Sequence, residues 1–248
     1  MCDSCNCGGD SPHTVTIQRP SPNNDGSAAR KIIVELDVLS KNNSLGETNR
    51  EFFRQQQILA LNLVSSPGSG KTSILERTVR ALCQELTITV IEGDQQTTRD
   101  AERIQATGAA AIQVNTGTGC HLDAEMIHRA LPQLNPPPHS ILFIENVGNL
   151  VCPALFDLGE AAKVAIISVT EGEDKPQKYP HMFRAATVCL INKIDLLPYL
   201  DFDLPLCKEL ALQVNPNLQF FEVSAKNGEG IEAWYQWLRQ EFSHSHHH

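Results

Sequence analysis

Seven short apolar runs recur from residue 58 onward, most of them separated from the next by a stretch of helical character. They are Ile58–Val64, Ile88–Ile91, Ala110–Val114, Ile141–Ile144, Val164–Val169, Val188–Ile191 and Leu218–Val223. Helical patterns lie between or after them at Thr72–Glu85, Thr98–Ala106, His121–Leu131, Leu206–Val214 and Ile231–Phe242. Short continuous runs of Val, Ile and Leu suit strands buried on both faces, and helices between them supply the crossovers that parallel strands need. The pattern predicts an α/β fold, a mostly parallel sheet with helices on both faces. In such sheets ligands gather at the carboxyl ends of the strands, so the residues that follow each run are where chemistry is sought.

Four regions are expected. Residues 1–30 open with a Cys/Gly cluster and continue through RPSPNNDGS with no apolar period, the composition of a flexible tail. Residues 31–57 carry Val34, Val38, Leu45, Phe52 and Phe53 among polar neighbours and read as a helical arm of one or two helices, with Gly46 arguing against continuity. Residues 58–243 form the α/β domain, and residues 244–248 end in HSHHH, native or the remnant of an affinity tag.

Composition removes several classes of function. With 29 acidic against 20 basic side chains the net charge is −9, so the chain lacks the cationic excess of a general nucleic-acid binder. No apolar run is long enough to span a bilayer, and the first residues have neither the basic nor the apolar section of a secretory leader. Its eight cysteines are therefore expected as cytoplasmic thiols, some of them metal ligands, and not as a disulfide framework.

Ser65-Ser66-Pro67-Gly68-Ser69-Gly70-Lys71-Thr72 follows the first apolar run and opens a helical stretch. This is the setting of a phosphate-binding loop, although Ser65 stands where G-x-x-x-x-G-K-[ST] has its first glycine. Glycines there let backbone N–H groups close around phosphate at the positive end of the helix. Gly68, Ser69, Gly70, Lys71, Thr72 and Ser73 are the candidate phosphate residues, with Lys71 on the β- and γ-phosphates and the Thr72 hydroxyl on Mg²⁺. Asn192-Lys193-Ile194-Asp195 ends the strand TVCLI. The Asp195 carboxylate can accept from guanine N1–H and the exocyclic amine, a donor pair that adenine lacks. Asn192 is expected to read the other purine edge, the Lys193 stem to lie along the ring, and Ser224-Ala225-Lys226 to offer backbone N–H groups to guanine O6. The nucleotide is thus GTP or GDP. Asp94, ending TVIEGD, and Glu145, ending ILFIE, are assigned to the Mg²⁺ shell, with Asp94 also a candidate for orienting the attacking water.

Two cysteine groups have metal-ligand character. Cys2, Cys5 and Cys7 form C-x-x-C-x-C, three soft thiolates that, with a terminal or backbone nitrogen, suit Ni²⁺. Cys120-His121 and Cys152 leave the same edge of the expected sheet and can converge. Three ligands fall short of a closed zinc site, so either water completes the set or two chains pool their ligands.

In this order and spacing, SSPGSGKT, EGD, GTGCH, ENVGNLVCP, NKID and SAK closely resemble the nickel-binding GTPases of hydrogenase maturation, the HypB family, over about residues 34–243. The resemblance implies a P-loop GTPase fold and slow, Mg²⁺-dependent hydrolysis of GTP. It implies Ni²⁺ or Zn²⁺ at Cys120, His121 and Cys152 across a homodimer interface, and a separate nickel site at Cys2, Cys5 and Cys7. It also implies two further partners, a nickel-insertion accessory protein and the large-subunit precursor of a [NiFe] hydrogenase. Asn6 stands where the N-terminal motif of the family usually has glycine, and the long internal His-rich tract of storage-type relatives is absent. Two other readings are a nickel-storage module with vestigial GTPase activity and a urease-type nickel-insertion GTPase.

Overall fold

The computed structural model describes the backbone of residues 25–94, 99–117 and 119–245, and side chains from residue 37 onward apart from Arg99. The chain divides into two compact units, residues 1–36 and 37–248. All side-chain geometry below belongs to the second.

All seven apolar runs form strands: β1 (Ile58–Ser65), β2 (Ile88–Asp94), β3 (Ala110–Asn115), β4 (Ser140–Glu145), β5 (Ala162–Ser168), β6 (Val188–Asn192) and β7 (Gln219–Glu222). They make one sheet in the order β3-β2-β4-β1-β5-β6-β7, with every neighbouring pair parallel. From β1 the crossovers run toward β3 on one side and toward β7 on the other. The crevice at the carboxyl end of β1 is therefore the switch point where a doubly covered sheet takes its ligand.

The helices are α1 (Asp25–Gln55), α2 (Lys71–Leu82), α3 (Arg99–Gln105), α4 (Ala124–Leu134), α5 (Lys175–Lys178), α6 (Pro180–Ala185), α7 (Leu204–Val214) and α8 (Ile231–His244). Strand residues alternate between two cores because successive side chains leave opposite faces. Leu59, Leu61 and Leu63 of β1 pack with Leu75 and Val79 of α2, Ile104 of α3 and Trp234 of α8. Ile58 and Ala60 face the other way, against Phe53 of α1 and Ile127 of α4, while Ile167 of β5 packs with Phe183 of α6 and Cys207 of α7. Among the described residues no helix is long and apolar enough to cross a membrane.

Four helices differ from expectation. Helix α1 begins at Asp25, inside the stretch expected as tail, and runs unbroken through Gly46. Gly46 is not a breaker here: a Cβ at that position would sit 2.9 Å from the Asp157 carbonyl oxygen, so glycine permits the helix to lie against that loop. Helix α4 starts at Ala124 and not at His121, because Asp123 caps it by accepting from the Met126 N–H at 2.8 Å. That cap leaves Cys120 and His121 on the loop, free of helical backbone constraints. Helices α5 and α6 are too short to carry a readable apolar period.

Candidate functional site

The loop between β1 and α2 wraps the carboxyl end of the central strand. Gly68 and Gly70 take left-handed φ values of 76° and 94°. A Cβ on Gly70 would lie 2.3 Å from the Asn192 amide nitrogen, so backbone angle and close approach both demand glycine there. Immediately beyond, Lys71 Nζ pairs with Glu145 Oε1 at 2.7 Å, and the Thr72 hydroxyl donates to the same oxygen at 2.6 Å. A cavity of about 860 Å³ adjoins the loop, lined by Gly70, Ser73, Arg77, Asp195 and Lys226 among others.

Three acids crowd the Thr72 side. Carboxylate oxygens of Glu92, Asp100 and Glu145 all lie within 4.8 Å of one another, and Asp100 Oδ2 is 3.3 Å from the Thr72 hydroxyl. Glu92 and Glu145 are direct neighbours in the β2–β4 register. Both are buried, and the second oxygen of each has no hydrogen-bond partner in the protein. Burial, followed by repulsion from Glu145, raises the Glu92 carboxyl to about 8, with Lys71 opposing the shift. Hard oxygen donors of this kind, two with orphaned buried atoms, fit Mg²⁺.

The acids that the structure brings together overlap the expected set only in part. Asp100, which the sequence did not single out, stands beside Thr72 and Glu145, whereas Asp94 lies two residues beyond Glu92 and outside the three-acid set. Glu92 was missed altogether. The available signal was an acid inside a strand otherwise buried on both faces, in the same parity as Asp94.

On the base side, Asp195 Oδ1 accepts from the Ser224 hydroxyl at 2.6 Å, which orients the carboxylate at the cavity. Asn192, expected at the purine edge, bonds two protein loops. Its Nδ2 donates to the Ser69 carbonyl at 2.8 Å, and its Oδ1 accepts from the Ala225 N–H at 3.0 Å. It therefore ties the phosphate loop to the Ser224–Lys226 loop. Lys193 also reaches the phosphate loop, its Nζ 2.7 Å from the Gly68 carbonyl. Arg77 of α2 grips the far side of the base loop, donating to the carbonyls of Ala225 at 2.9 Å and Lys226 at 3.1 Å.

The second cluster gathers Cys120, His121 and Cys152, each half-buried, with ligand atoms within 4.8 Å of one another. The two sulfurs are 3.0 Å apart, and Cys120 Sγ lies 3.5 Å from His121 Nδ1. The His121 ring lies against Phe156, with ring centroids 3.9 Å apart and the planes tilted by 39°. Burial lowers its pKa, against a weaker pull from Asp123, so a neutral imidazole is available near pH 7. The hydrogen bond to Cys152 raises the Cys120 thiol, with burial adding to the effect. Two sulfurs and an imidazole are the donor set of Ni²⁺ or Zn²⁺. Cys2, Cys5 and Cys7 lie outside the described residues.

One loop joins the two clusters. It leaves β4 at Glu145 and ends in a short helical turn at Cys152. Asn146 Oδ1 accepts from the N–H groups of Leu122 and Val147, both at 3.0 Å, and Asn149 Nδ2 donates to the Cys120 carbonyl at 3.3 Å. Between them, a Cβ on Gly148 would lie 3.3 Å from Pro67 Cα, so the loop also runs against the phosphate loop.

Residues 59–222 match the family described as CobW/HypB/UreG, nucleotide-binding domain. The hydrogenase maturation factor HypB of Rhizobium leguminosarum bv. viciae is 62% identical over 212 residues, covering 86% of this chain and 71% of that protein. The chain belongs to the HypB family of P-loop GTPases. Among solved structures, the maturation factor HypB from Archaeoglobus fulgidus superposes with a TM-score of 0.77 at 39% identity, covering 82% of this chain and 99% of that one. HypB from Helicobacter pylori, solved in complex with nickel, gives the same TM-score at 37% identity, with 82% and 96% coverage. The family match runs from β1 through β7 and so contains the phosphate loop, the acids, the Asn192–Asp195 segment and the Cys120–Cys152 cluster; α1, the Ser224–Lys226 loop and α8 lie beyond it.

Proposed function

We propose that this chain is a GTP-hydrolysing nickel metallochaperone that delivers nickel for maturation of the [NiFe] hydrogenase active site. One observation carries the reading: a single loop begins at Glu145, which holds Lys71 and Thr72, and ends at Cys152 beside Cys120. The names of the relatives, hydrogenase maturation factors, and the nickel complex of the Helicobacter pylori protein support it.

When GTP is bound, Lys71 turns from Glu145 to the β- and γ-phosphates, and the Gly68–Gly70 backbone closes on them. Thr72, Glu145 and Asp100 would hold Mg²⁺, which when bound neutralises charge on the phosphate oxygens. Asp94, at the end of β2, is the candidate for orienting the attacking water. Asp195 reads the guanine N1–H and amine, and the Ser224–Lys226 backbone faces O6. Release of Glu145 from Lys71 frees the loop that leads to Cys152, so nucleotide state changes the bite of the metal ligands. By linkage, metal and nucleotide alter each other's affinity by the same factor.

The cargo is Ni²⁺ at Cys120, His121 and Cys152, a set that also accepts Zn²⁺. Three ligands from one chain favour completion by a second copy, giving a homodimer that responds to metal or nucleotide. Cys2, Cys5 and Cys7 form a separate nickel site. A nickel-insertion accessory protein and the hydrogenase large-subunit precursor, encountered in the cytoplasm, are the partners that supply and receive the ion.

The test is an equilibrium Ni²⁺ titration of the tag-free protein with GDP and again with a non-hydrolysable GTP analogue. Different affinity or stoichiometry in the two states supports the switch. Superimposable curves, or a Cys152→Ala variant whose GTP affinity responds to nickel as the parent does, would sink it.

A further inference from the structure

We infer that Asn42 and Asn49 of α1 are positioning residues for the metal-binding cluster, holding its two ligand-bearing loops at a fixed separation. This rests on the reading of Cys120, His121 and Cys152 as the cargo site and extends it to a helix outside the family match.

The ligands come from two segments with no direct covalent link. Cys120 and His121 precede α4, and Cys152 opens the turn that continues through Phe156 and Asp157. Each asparagine spans both segments. Asn42 Oδ1 accepts from the Ala124 N–H at 2.9 Å, while its Nδ2 donates to the Asp157 carbonyl at 2.8 Å. Asn49 Nδ2 donates to the Ala124 carbonyl at 2.9 Å and to the Leu158 carbonyl at 3.2 Å. Asn42 is 6% exposed and Asn49 fully buried, so water does not substitute for these bonds cheaply. The spacing Asn42, Gly46, Asn49, Phe53 puts all four on one helical face. Gly46 gives the closest approach, and Arg50 adds two bonds to the Asp157 carboxylate at 2.8 and 2.6 Å.

The second segment reaches the ligands themselves. Phe156, next to Asp157, packs against the His121 ring. Moving residues 156–158 relative to Ala124 therefore moves Cys152 and the imidazole against Cys120. Soft-metal affinity depends on that bite, and partners that orient ligands change it by about 10- to 100-fold when removed.

The experiment compares Asn42→Ala, Asn49→Ala and Gly46→Ala with the parent. Ni²⁺ affinity is read from the thiolate-to-nickel charge-transfer band, and affinity for a fluorescent GDP derivative serves as the fold control. About tenfold weaker nickel binding with an altered band, and nucleotide binding kept, is the expected result. Parent-like nickel binding in all three overturns the inference. If either asparagine variant loses nucleotide binding with its fold, Gly46→Ala decides, since it pushes α1 from the Asp157 carbonyl while keeping both asparagine side chains. Weakened nickel binding there supports the inference, and parent-like binding overturns it. If the parent and Cys152→Ala titrate alike, the cargo site itself is misplaced and the inference falls with it, a result distinct from failure of the bridges alone.

Discussion

Lys71 and Glu145 form a 2.7 Å ion pair in which the carboxylate is completely buried and the ammonium almost so. The same carboxylate oxygen accepts from the Thr72 hydroxyl, so two neighbouring side chains at the start of α2 rest on one acid. A buried pair contributes little net stability, yet removing one partner strands a charge at a cost of about 3–5 kcal/mol. Lys71→Ala should lower unfolding free energy by that order, and Lys71→Ala/Glu145→Ala should recover most of the loss. Urea denaturation without nucleotide measures both. An additive double variant would show that the pair is not coupled.

Arg77 holds two carbonyls of the base loop from behind while Asn192 holds the Ala225 N–H from the front. Losing charge-assisted bonds of this kind costs roughly 1.5–3 kcal/mol, so Arg77→Ala should weaken GDP binding about 10- to 100-fold. Arg77→Lys should not restore it, because an ammonium lacks the fork that spans both oxygens. Fluorescent-GDP titration of the two variants settles the point, and parent-like affinity in Arg77→Lys would count against the clamp.

Docking of α1 should be acid-sensitive. Burial raises the Asp157 carboxyl, but hydrogen bonds from Arg50 and the Gly159 N–H, with the Arg50 charge, leave it below the ordinary aspartate value. A carboxyl lowered on folding contributes stability that is complete above its unfolded pKa and lost as pH falls through the folded one. Protection of the α1 amides in hydrogen exchange should therefore decline below about pH 4. Asp157→Asn should weaken protection at neutral pH and remove that part of its acid dependence.

The cysteines should separate by reactivity. Cys120 and Cys152 are half-buried, whereas Cys189 and Cys207 are fully buried. Burial raises the Cys189 thiol strongly and Cys207 to about 11, leaving little thiolate near neutral pH. Iodoacetamide followed by mass spectrometry should label Cys120 and Cys152 in the metal-free protein and spare the buried pair. Saturating Ni²⁺ should protect Cys120 and Cys152. Labelling that nickel leaves unchanged would place the ion elsewhere.

Strands and glycines were legible from the sequence because their causes are local. Buried parallel strands must be apolar along their length, and Gly70 sits where backbone angle admits little else. The acids were less legible. Asp100 reads as a helix-start residue until β2, β4 and α2 are brought together, and only the pairing of Glu92 with Glu145 brings an interior acid to the same cluster. Gly46 was misread for the same reason: propensity counts its cost to an isolated helix, whereas Asp157, far along the chain, supplies the compensation. The role of Asn192 emerged only when both loops could be seen on either side of one amide.

That amide has a consequence for fragments of the nucleotide. Ser69 and Ala225 are held through a single planar group, so the phosphate loop and the Ser224–Lys226 loop keep a fixed separation before any ligand enters. Guanosine and pyrophosphate, offered separately, would each meet only half of a preorganised cradle and lose the effective concentration that a covalent ribose supplies. An intact guanine nucleotide should therefore bind far more strongly than an equimolar mixture of its parts.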